Sequence, residues 1–292
     1  MQPAARYPFP IPFGWFQVAY LDELEPGATV TRHYFGTVVE IGIGVGAARP
    51  QVVEVGGQAL PVVVRNGNVL AWYHPEGGVP LWAIPEVEEL APDRAGLRVR
   101  TRYEIDACLQ EITENGYDRA HLPHVHGTTG AHEVTFREEG DHRSWLATTL
   151  RYDTARGAAE NRVSSVSWGP GVGFVAFDGA VDTVFVATTV PITAARSELR
   201  FQYLFRGPGS GAGLERAAQA FLGEIERQYR QDVAIWEHKA YLVRPALTEE
   251  EALILRFRRW YRQFYAEPVD EQRLRFVPPA PTPGPSRASA AR

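Results

Sequence analysis

Cysteine is almost missing from this chain: Cys108 is the one thiol in 292 residues. That excludes an intrachain disulfide and suits a reducing compartment. Long hydrophobic runs are missing too, since no apolar stretch approaches the ~20 residues that span a bilayer. The N-terminus, with Pro3, Pro8, Pro10 and Pro12, lacks the basic-then-apolar order of a signal peptide. The expected location is therefore the cytoplasm. There is no basic excess either. A net charge of −5 leaves no surplus to neutralise phosphates, which argues against a nucleic-acid partner. Gly169-Pro170-Gly171-Val172-Gly173 has neither the spacing of a phosphate loop nor a helix after it. No G-x-S-x-G nucleophile elbow and no internal repeat are present.

What remains is an ordinary globular composition, 45% hydrophobic and 22% charged, long enough for one large or two smaller domains. Residues 6–20 alternate proline with Tyr7, Phe9, Phe13, Trp15 and Phe16, an extended segment suited to covering an apolar surface. Short strands follow from Thr29 to Tyr73, with a Gly-rich, irregular connection over 43–59. The clearest hairpin joins Leu60–Arg65 to Asn68–Tyr73 through Asn66-Gly67, which suits the two positive-φ positions of a type I′ turn.

Residues 104–121 read as a helix stopped near Pro123, with Ile105, Leu109 and Ile112 as its apolar row. Strands are expected at 133–138, 144–152, 162–168, 172–178, 181–190 and 198–206. The last alternates Leu199, Phe201, Tyr203 and Phe205 onto one face. A long helix is expected from Leu214 to His238. Another begins at a capping box, Thr248-Glu249-Glu250-Glu251, and runs to about Tyr265. The Pro/Ala/Ser-rich tail reads as disordered. Strands without crossover helices between them make the fold class α+β.

The chemistry concentrates in Asp118-Arg119-Ala120-His121-Leu122-Pro123-His124-Val125-His126, one carboxylate and three imidazoles in nine residues. Two imidazoles and a carboxylate on one face are the usual ligands of mononuclear non-haem iron. Asp118 and His121, three apart, would be helix neighbours. His126 lies beyond Pro123, where the chain can turn back. A carboxylate from elsewhere would complete a site. On the long helix the apolar row Ala218, Ile225, Tyr229, Trp236 includes Asp232, so a buried carboxylate is expected there, in need of a cation or metal. A rotation of the helix would instead expose it harmlessly. His124-Val125-His126 also resembles the H-x-H of zinc hydrolases, but Thr128 stands where those continue with Asp. Cys108 reads as an inert core thiol. His33, His74, His132, His142 and His238 stand apart and carry no assignment. Arg256, Arg258, Arg259 and Arg262 read as a solvated helix face; a docking surface for an acidic electron carrier is the sharper alternative.

Together these residues resemble a family. Glu114-Asn115-x-x-Asp118-x-x-His121-x-x-x-x-His126 is similar to the iron motif of Rieske non-haem iron oxygenase α subunits. Gln231-Asp232-x-x-Ile235-Trp236-Glu237-x-Lys239-x-Tyr241 is similar to the segment that supplies their carboxylate ligand. Tyr7-Pro8-Phe9-Pro10-x-Pro12-x-Gly14-Trp15, Trp72-Tyr73-His74-Pro75-Glu76-Gly77 and Phe257-Arg258-Arg259-Trp260-Tyr261 resemble the steroid and sterol branch, the 3-ketosteroid 9α-hydroxylase oxygenase components and cholesterol 7-desaturases.

The resemblance implies Fe(II) held by His121, His126 and Asp232. Asp118 would be the carboxylate bridging to an electron donor, and Asn115 would lie near the iron. It also implies a helix-grip (START-like) catalytic domain over 96–276, an antiparallel sheet around the long C-terminal helix that encloses an apolar cavity. A degenerate Rieske-like β region over 1–95 would precede it and a disordered tail over 277–292 follow. The departure is the cluster. A [2Fe–2S] Rieske centre needs C-x-H and C-x-x-H, and this chain has neither pair. A bridge with no donor in its own chain suggests a donor in another: a Rieske-containing homologue in a homo- or hetero-trimer, or a ferredoxin. The expected function is oxygenation, by hydroxylation or desaturation, of a large apolar substrate with O2. A redox-neutral iron enzyme and a non-catalytic structural or regulatory subunit remain as alternatives.

Overall fold

The computed structural model describes residues 6–47, 50–54, 57–129, 134–140, 142–154, 157–179, 181–206 and 211–267. The expected tail and His132 lie outside them.

The proline-aromatic segment has neither helix nor strand through Phe13 and then becomes strand β1 (Gly14–Tyr20). Strands β2 (Thr29–Tyr34), β3 (Thr37–Gly42), β4 (Gln51–Glu54) and β5 (Ala59–Leu60) form a four-stranded sheet in that order. The stretch expected to be irregular thus carries two paired strands among its described residues. Strands β6 (Val62–Arg65) and β7 (Asn68–Tyr73) make the expected hairpin, and β7 pairs with β1 in a second sheet, β1-β7-β6. Its turn has φ of 53° at Asn66 and 75° at Gly67. The Asn66 carboxamide also accepts from Val87 N at 2.7 Å and donates to Pro85 O at 3.2 Å, docking the following loop. A Cβ on Gly67 would meet nothing within 4 Å. Gly67→Ala should therefore cost only its left-handed backbone, about 1 kcal/mol, seen as a melting-temperature drop of a few degrees. No drop would mean that the turn relaxes.

The main sheet has seven antiparallel strands. They are β8 (Leu97–Ile105), β9 (Val134–Glu138), β10 (Arg143–Thr154), β11 (Gly157–Trp168), β12 (Val172–Asp178), β13 (Asp182–Thr193) and β14 (Arg196–Arg206), in the order β8-β14-β13-β12-β11-β10-β9. Among the described residues there are three α-helices: α1 (Leu109–Glu114), α2 (Ala212–Trp236) and α3 (Ala252–Tyr261). The α3 helix is preceded by the expected capping box at Thr248 and Glu251. No described helix is long and apolar enough to cross a membrane.

One correction concerns 104–121. Ile105 ends β8, in register with Ser197 of β14, and the helix spans only Leu109–Glu114. Ile105, Leu109 and Ile112 fit helical spacing, but nine consecutive pairings with β14 hold Leu97–Ile105 as strand. Ile105 and Ile112 still share a cluster with Leu199 and Trp236, whereas Leu109 packs toward the N-terminal strands.

The two faces of the main sheet do different work. Leu199, Phe201, Tyr203 and Phe205 share one face, as their alternation predicts, and pack against α2 through Ala218, Phe221, Tyr229 and Trp236. The opposite face of β14 carries Glu198, Arg200 and Gln202, all buried. These polar groups meet the N-terminal strands: Glu198 accepts from Tyr34 Oη at 3.1 Å, and Arg200 Nη2 donates to the same hydroxyl at 2.7 Å. Phe9, Trp15 and Trp72 belong to one core with Val184 and Val186 of β13 and with Trp260 and Phe264. The proline-aromatic segment therefore covers apolar surface, as expected. Cys108 is buried, and burial beside Glu111 pushes its thiol up, as an inert core thiol requires.

Candidate metal centre

The site is built on the chain leaving α1. A short 3-10 turn, Asn115–Tyr117, follows Glu114 directly. Buried Tyr117 pins that turn, its hydroxyl 3.1 Å from Ser144 Oγ and its ring stacked on Phe257 at 4.3 Å. Asp118 is extended (φ −86°, ψ 103°), so it does not share a helix face with His121. Their proximity comes from a local turn instead. Asp118 Oδ1 accepts from the backbone N–H of Ala120 at 3.0 Å and of His121 at 3.3 Å. The Asp118 carbonyl accepts from His121 Nδ1. His121 Nε2 is left as the acceptor atom, and in this structure it faces Asn115 Nδ2 at 3.4 Å.

Leu122–His126 then forms a π-helical turn, ended by Gly127 in the left-handed region (φ 72°). In an α-helix a five-residue step leaves two side chains on different faces; the wider i→i+5 turn reduces that angle. The His121 and His126 rings thus come to 5.0 Å between centroids, nearly perpendicular at 84°. His124, the middle imidazole, is exposed and lies outside the group.

Asp232 comes from α2. It is 8% exposed, which settles the orientation of the helix in favour of the buried row. Its Oδ1 lies 3.2 Å from His126 Nε2, and its Oδ2 accepts from Asn115 Nδ2 at 3.1 Å. The same Asn115 nitrogen lies 3.4 Å from His121 Nε2. The ligand atoms of His121, His126 and Asp232 all fall within 4.8 Å of one another. Asp118 stays outside this set and touches it through His121.

The donor chemistry fits a divalent cation. His126 Nδ1 faces Gln231 Oε1 at 3.1 Å, an oxygen that can only accept. A neutral His126 therefore turns its Nε2 lone pair toward Asp232 Oδ1, a buried oxygen with no hydrogen-bond partner besides this ring. Two lone pairs facing across 3.2 Å require a proton or a cation between them. Burial holds the His121 imidazolium below its usual range, so this ring stays in the neutral, ligating form. At His126 burial lowers the value, but the hydrogen bond and charge of Asp232 outweigh it and the net shift is upward. That upward pull marks the gap between His126 Nε2 and Asp232 Oδ1 as one that favours positive charge, and two imidazoles with one carboxylate match the set used for mononuclear iron.

Behind the site lies an ionic hub that sequence reasoning missed. Glu111 and Glu114 of α1 are 0% and 2% exposed. Lys239, just past α2, places Nζ 2.6 Å from Glu111 and 3.1 Å from Glu114. Arg258 of α3 grips Glu114 with Nε at 2.6 Å and Nη2 at 2.8 Å. This corrects the expectation for the arginine group. Arg258 is 12% exposed and paired, and Arg256 pairs with Glu138 at 3.1 Å; Arg259 and Arg262 are exposed. Burial and the charge of Glu114 push the Glu111 carboxyl up against the pull of Lys239. The available sequence signal was two carboxylates three apart, Glu111 and Glu114, on either side of buried-row Ile112 in a six-residue helix.

A cavity of about 690 Å³ lined by Arg32, His33, Tyr34, Arg102, Arg196 and Glu198 lies elsewhere, on the sheet face opposite α2.

Comparison with known proteins places this geometry. Residues 71–265 match the family model described as the 3-ketosteroid 9alpha-hydroxylase C-terminal domain. A cholesterol 7-desaturase of Caenorhabditis elegans is 28% identical over 239 residues, covering 71% of this chain and 54% of the relative. The oxygenase component of a 3-ketosteroid-9-alpha-monooxygenase from Rhodococcus rhodochrous is 28% identical over 232 residues, covering 73% and 61%. The Bombyx mori cholesterol 7-desaturase is 30% identical over 233 residues, covering 70% and 48%. The chain thus spans about half the length of the cholesterol 7-desaturases it matches. Among solved structures, dicamba monooxygenase bound to 3,6-dichlorosalicylic acid superposes with a TM-score of 0.61 at 17% identity, covering 89% of this chain and 98% of that one. Pseudomonas putida CBB5 NdmA with caffeine gives 0.60 at 12%, covering 85% and 89%. At such identities these structures establish the shared fold alone.

Proposed function

Because the chain belongs to the 3-ketosteroid 9α-hydroxylase C-terminal domain family, we propose that it is a mononuclear non-haem Fe(II) oxygenase subunit. His121, His126 and Asp232 hold the iron. The observation that carries this reading is their convergence: ligand atoms from segments more than a hundred residues apart meet within 4.8 Å. Fe(II) bound there supplies one-electron and oxygen chemistry. The protein's own groups do the rest. Asn115 holds Asp232 Oδ2, the Asp118 carbonyl holds His121, and Tyr117 fixes the loop that carries both.

The proposed substrate is a large apolar, steroid-like molecule, hydroxylated or desaturated; the named relatives act on cholesterol and a 3-ketosteroid. Region 1–95 is read as a Rieske-like β region without cluster ligands, and 96–276 as the helix-grip catalytic region. The chain's sole cysteine, Cys108, is buried in the core. Electrons therefore come from another chain, a Rieske-containing homologue in a trimer or a ferredoxin. Asp118 is the entry point, because it shares a hydrogen bond with a ligand imidazole and is only partly buried.

Asp118→Asn tests this. The variant should keep its iron, since the backbone carbonyl that orients His121 remains. Reduction by a Rieske-containing partner or ferredoxin should slow ~10–100-fold, the cost typical of changing an outer group at a metal site, because the carboxylate charge that would face the donor is gone. Single-turnover reduction at the wild-type rate would refute the bridge. Turnover of a 3-ketosteroid or cholesterol with no reductant present would refute the external-donor reading.

A further inference from the structure

We infer that Gln231 is a positioning residue: its carboxamide, itself oriented by Arg227, fixes which ring nitrogen of His126 faces the metal. This rests on the ligand assignment above and goes beyond it. Arg227 and Gln231 are one turn apart on α2, and Arg227 Nη1 lies 3.0 Å from Gln231 Oε1. A guanidinium donates and never accepts. The amide must therefore present its oxygen, not its nitrogen, to Arg227. That same oxygen lies 3.1 Å from His126 Nδ1. Nδ1 must then carry a hydrogen, and Nε2, the atom beside Asp232, is left as the ligand atom.

The relay is anchored at its far end. Arg227 is gripped by Glu224, with Nε to Oε2 at 2.9 Å and Nη2 to Oε1 at 2.6 Å, and Nη2 also reaches the His126 carbonyl at 3.4 Å. The hydrogen bonds from Arg227 hold the Glu224 carboxyl below its usual range, so the anchor stays ionised. Neither Arg227 nor Gln231 changes charge near neutral pH. The orientation of His126 is thus written by groups that do not titrate.

His121 is held the same way, with Nδ1 on the backbone carbonyl of Asp118. Both imidazoles are presented through Nε2, and both by uncharged acceptors. They ligate as neutral rings. A carboxylate at 231 would draw the Nδ1 proton and make His126 a stronger donor. The helix that supplies the carboxylate ligand thus also supplies the group that orients an imidazole ligand.

The test is an anaerobic titration of metal-free protein with Fe(II) against a competing chelator, and with Co(II) followed by its ligand-field absorption. Gln231→Leu should weaken both metals ~10–100-fold and change the Co(II) spectrum, with an unchanged melting temperature. Gln231→Glu should restore affinity to within a few-fold and lower the Fe(III)/Fe(II) potential. Arg227→Met should weaken binding less than Gln231→Leu, because the freed amide still presents oxygen part of the time. Wild-type affinity and spectrum in Gln231→Leu would overturn the inference while leaving the iron site standing. Equal loss in Gln231→Leu and Gln231→Glu would also overturn it. A wild-type chain that binds neither metal would sink the functional reading, and the inference with it.

Discussion

Replacing Asp232 by alanine is expected to strip the chain of metal while leaving it folded. Asp232 is the one carboxylate in the cluster, and its Oδ1 meets His126 Nε2 alone. The substitution removes one of three ligands and leaves Asn115 Nδ2 without its carboxylate acceptor. Changing groups that merely orient a ligand costs ~10–100-fold in affinity; losing the ligand itself should exceed that and bring iron below detection. The metal-free protein should show a pH signature as well. The folded His126 value is raised, chiefly by Asp232 working against burial. The stability from that pair is full below the unfolded imidazole value, ~6.5, and is lost as pH rises through the folded value. Asp232→Ala should therefore lower the melting temperature of metal-free protein at pH 5 more than at pH 8. Full iron content in this variant would reject the ligand assignment.

The second large effect is expected at Glu114, on stability. Glu114→Ala leaves Arg258, 12% exposed, without its carboxylate, and weakens the hold on Lys239. Removing one partner of a buried pair costs about 3–5 kcal/mol, because the other charge stays buried and uncompensated. That corresponds to a fall of roughly 10 °C in melting temperature for a domain of this size. Arg258→Ala should cost a similar amount, and the double variant clearly less than the sum, with a coupling of about 1–3 kcal/mol. Strictly additive losses would mean that the two residues act separately. Metal affinity should fall alongside, since Glu114 adjoins Asn115 and Lys239 closes α2 behind Asp232. The hub fixes the distance between the two segments that carry the ligands.

Much of this fold was legible because it is written locally. Asn66-Gly67 encodes its turn through two positive φ angles. The alternation of Leu199, Phe201, Tyr203 and Phe205 encodes the face that meets α2. Asp232 was legible as a buried carboxylate because an α-helix has one period, and Ala218 and Trp236 share its face. What the sequence hid depends on partners far away. Ile105 is strand because Ser197 pairs with it, while its local spacing suits a helix equally well. Arg258 was read as solvated because its helix neighbours are charged; its partner, Glu114, lies 144 residues earlier. The π turn that joins the two histidines had only Pro123 as a signal. The link from His126 to Gln231 spans 105 residues. Ligand types are local chemistry, whereas the groups that orient them are tertiary.

The most direct measurement is the metal and acid-labile sulfide content of the protein purified alone and without oxygen. The proposed centre requires about one Fe(II) per chain and no acid-labile sulfide. No bound metal, even after anaerobic reconstitution with Fe(II), would contradict it and leave His121, His126 and Asp232 as the remnant of a site in a structural subunit.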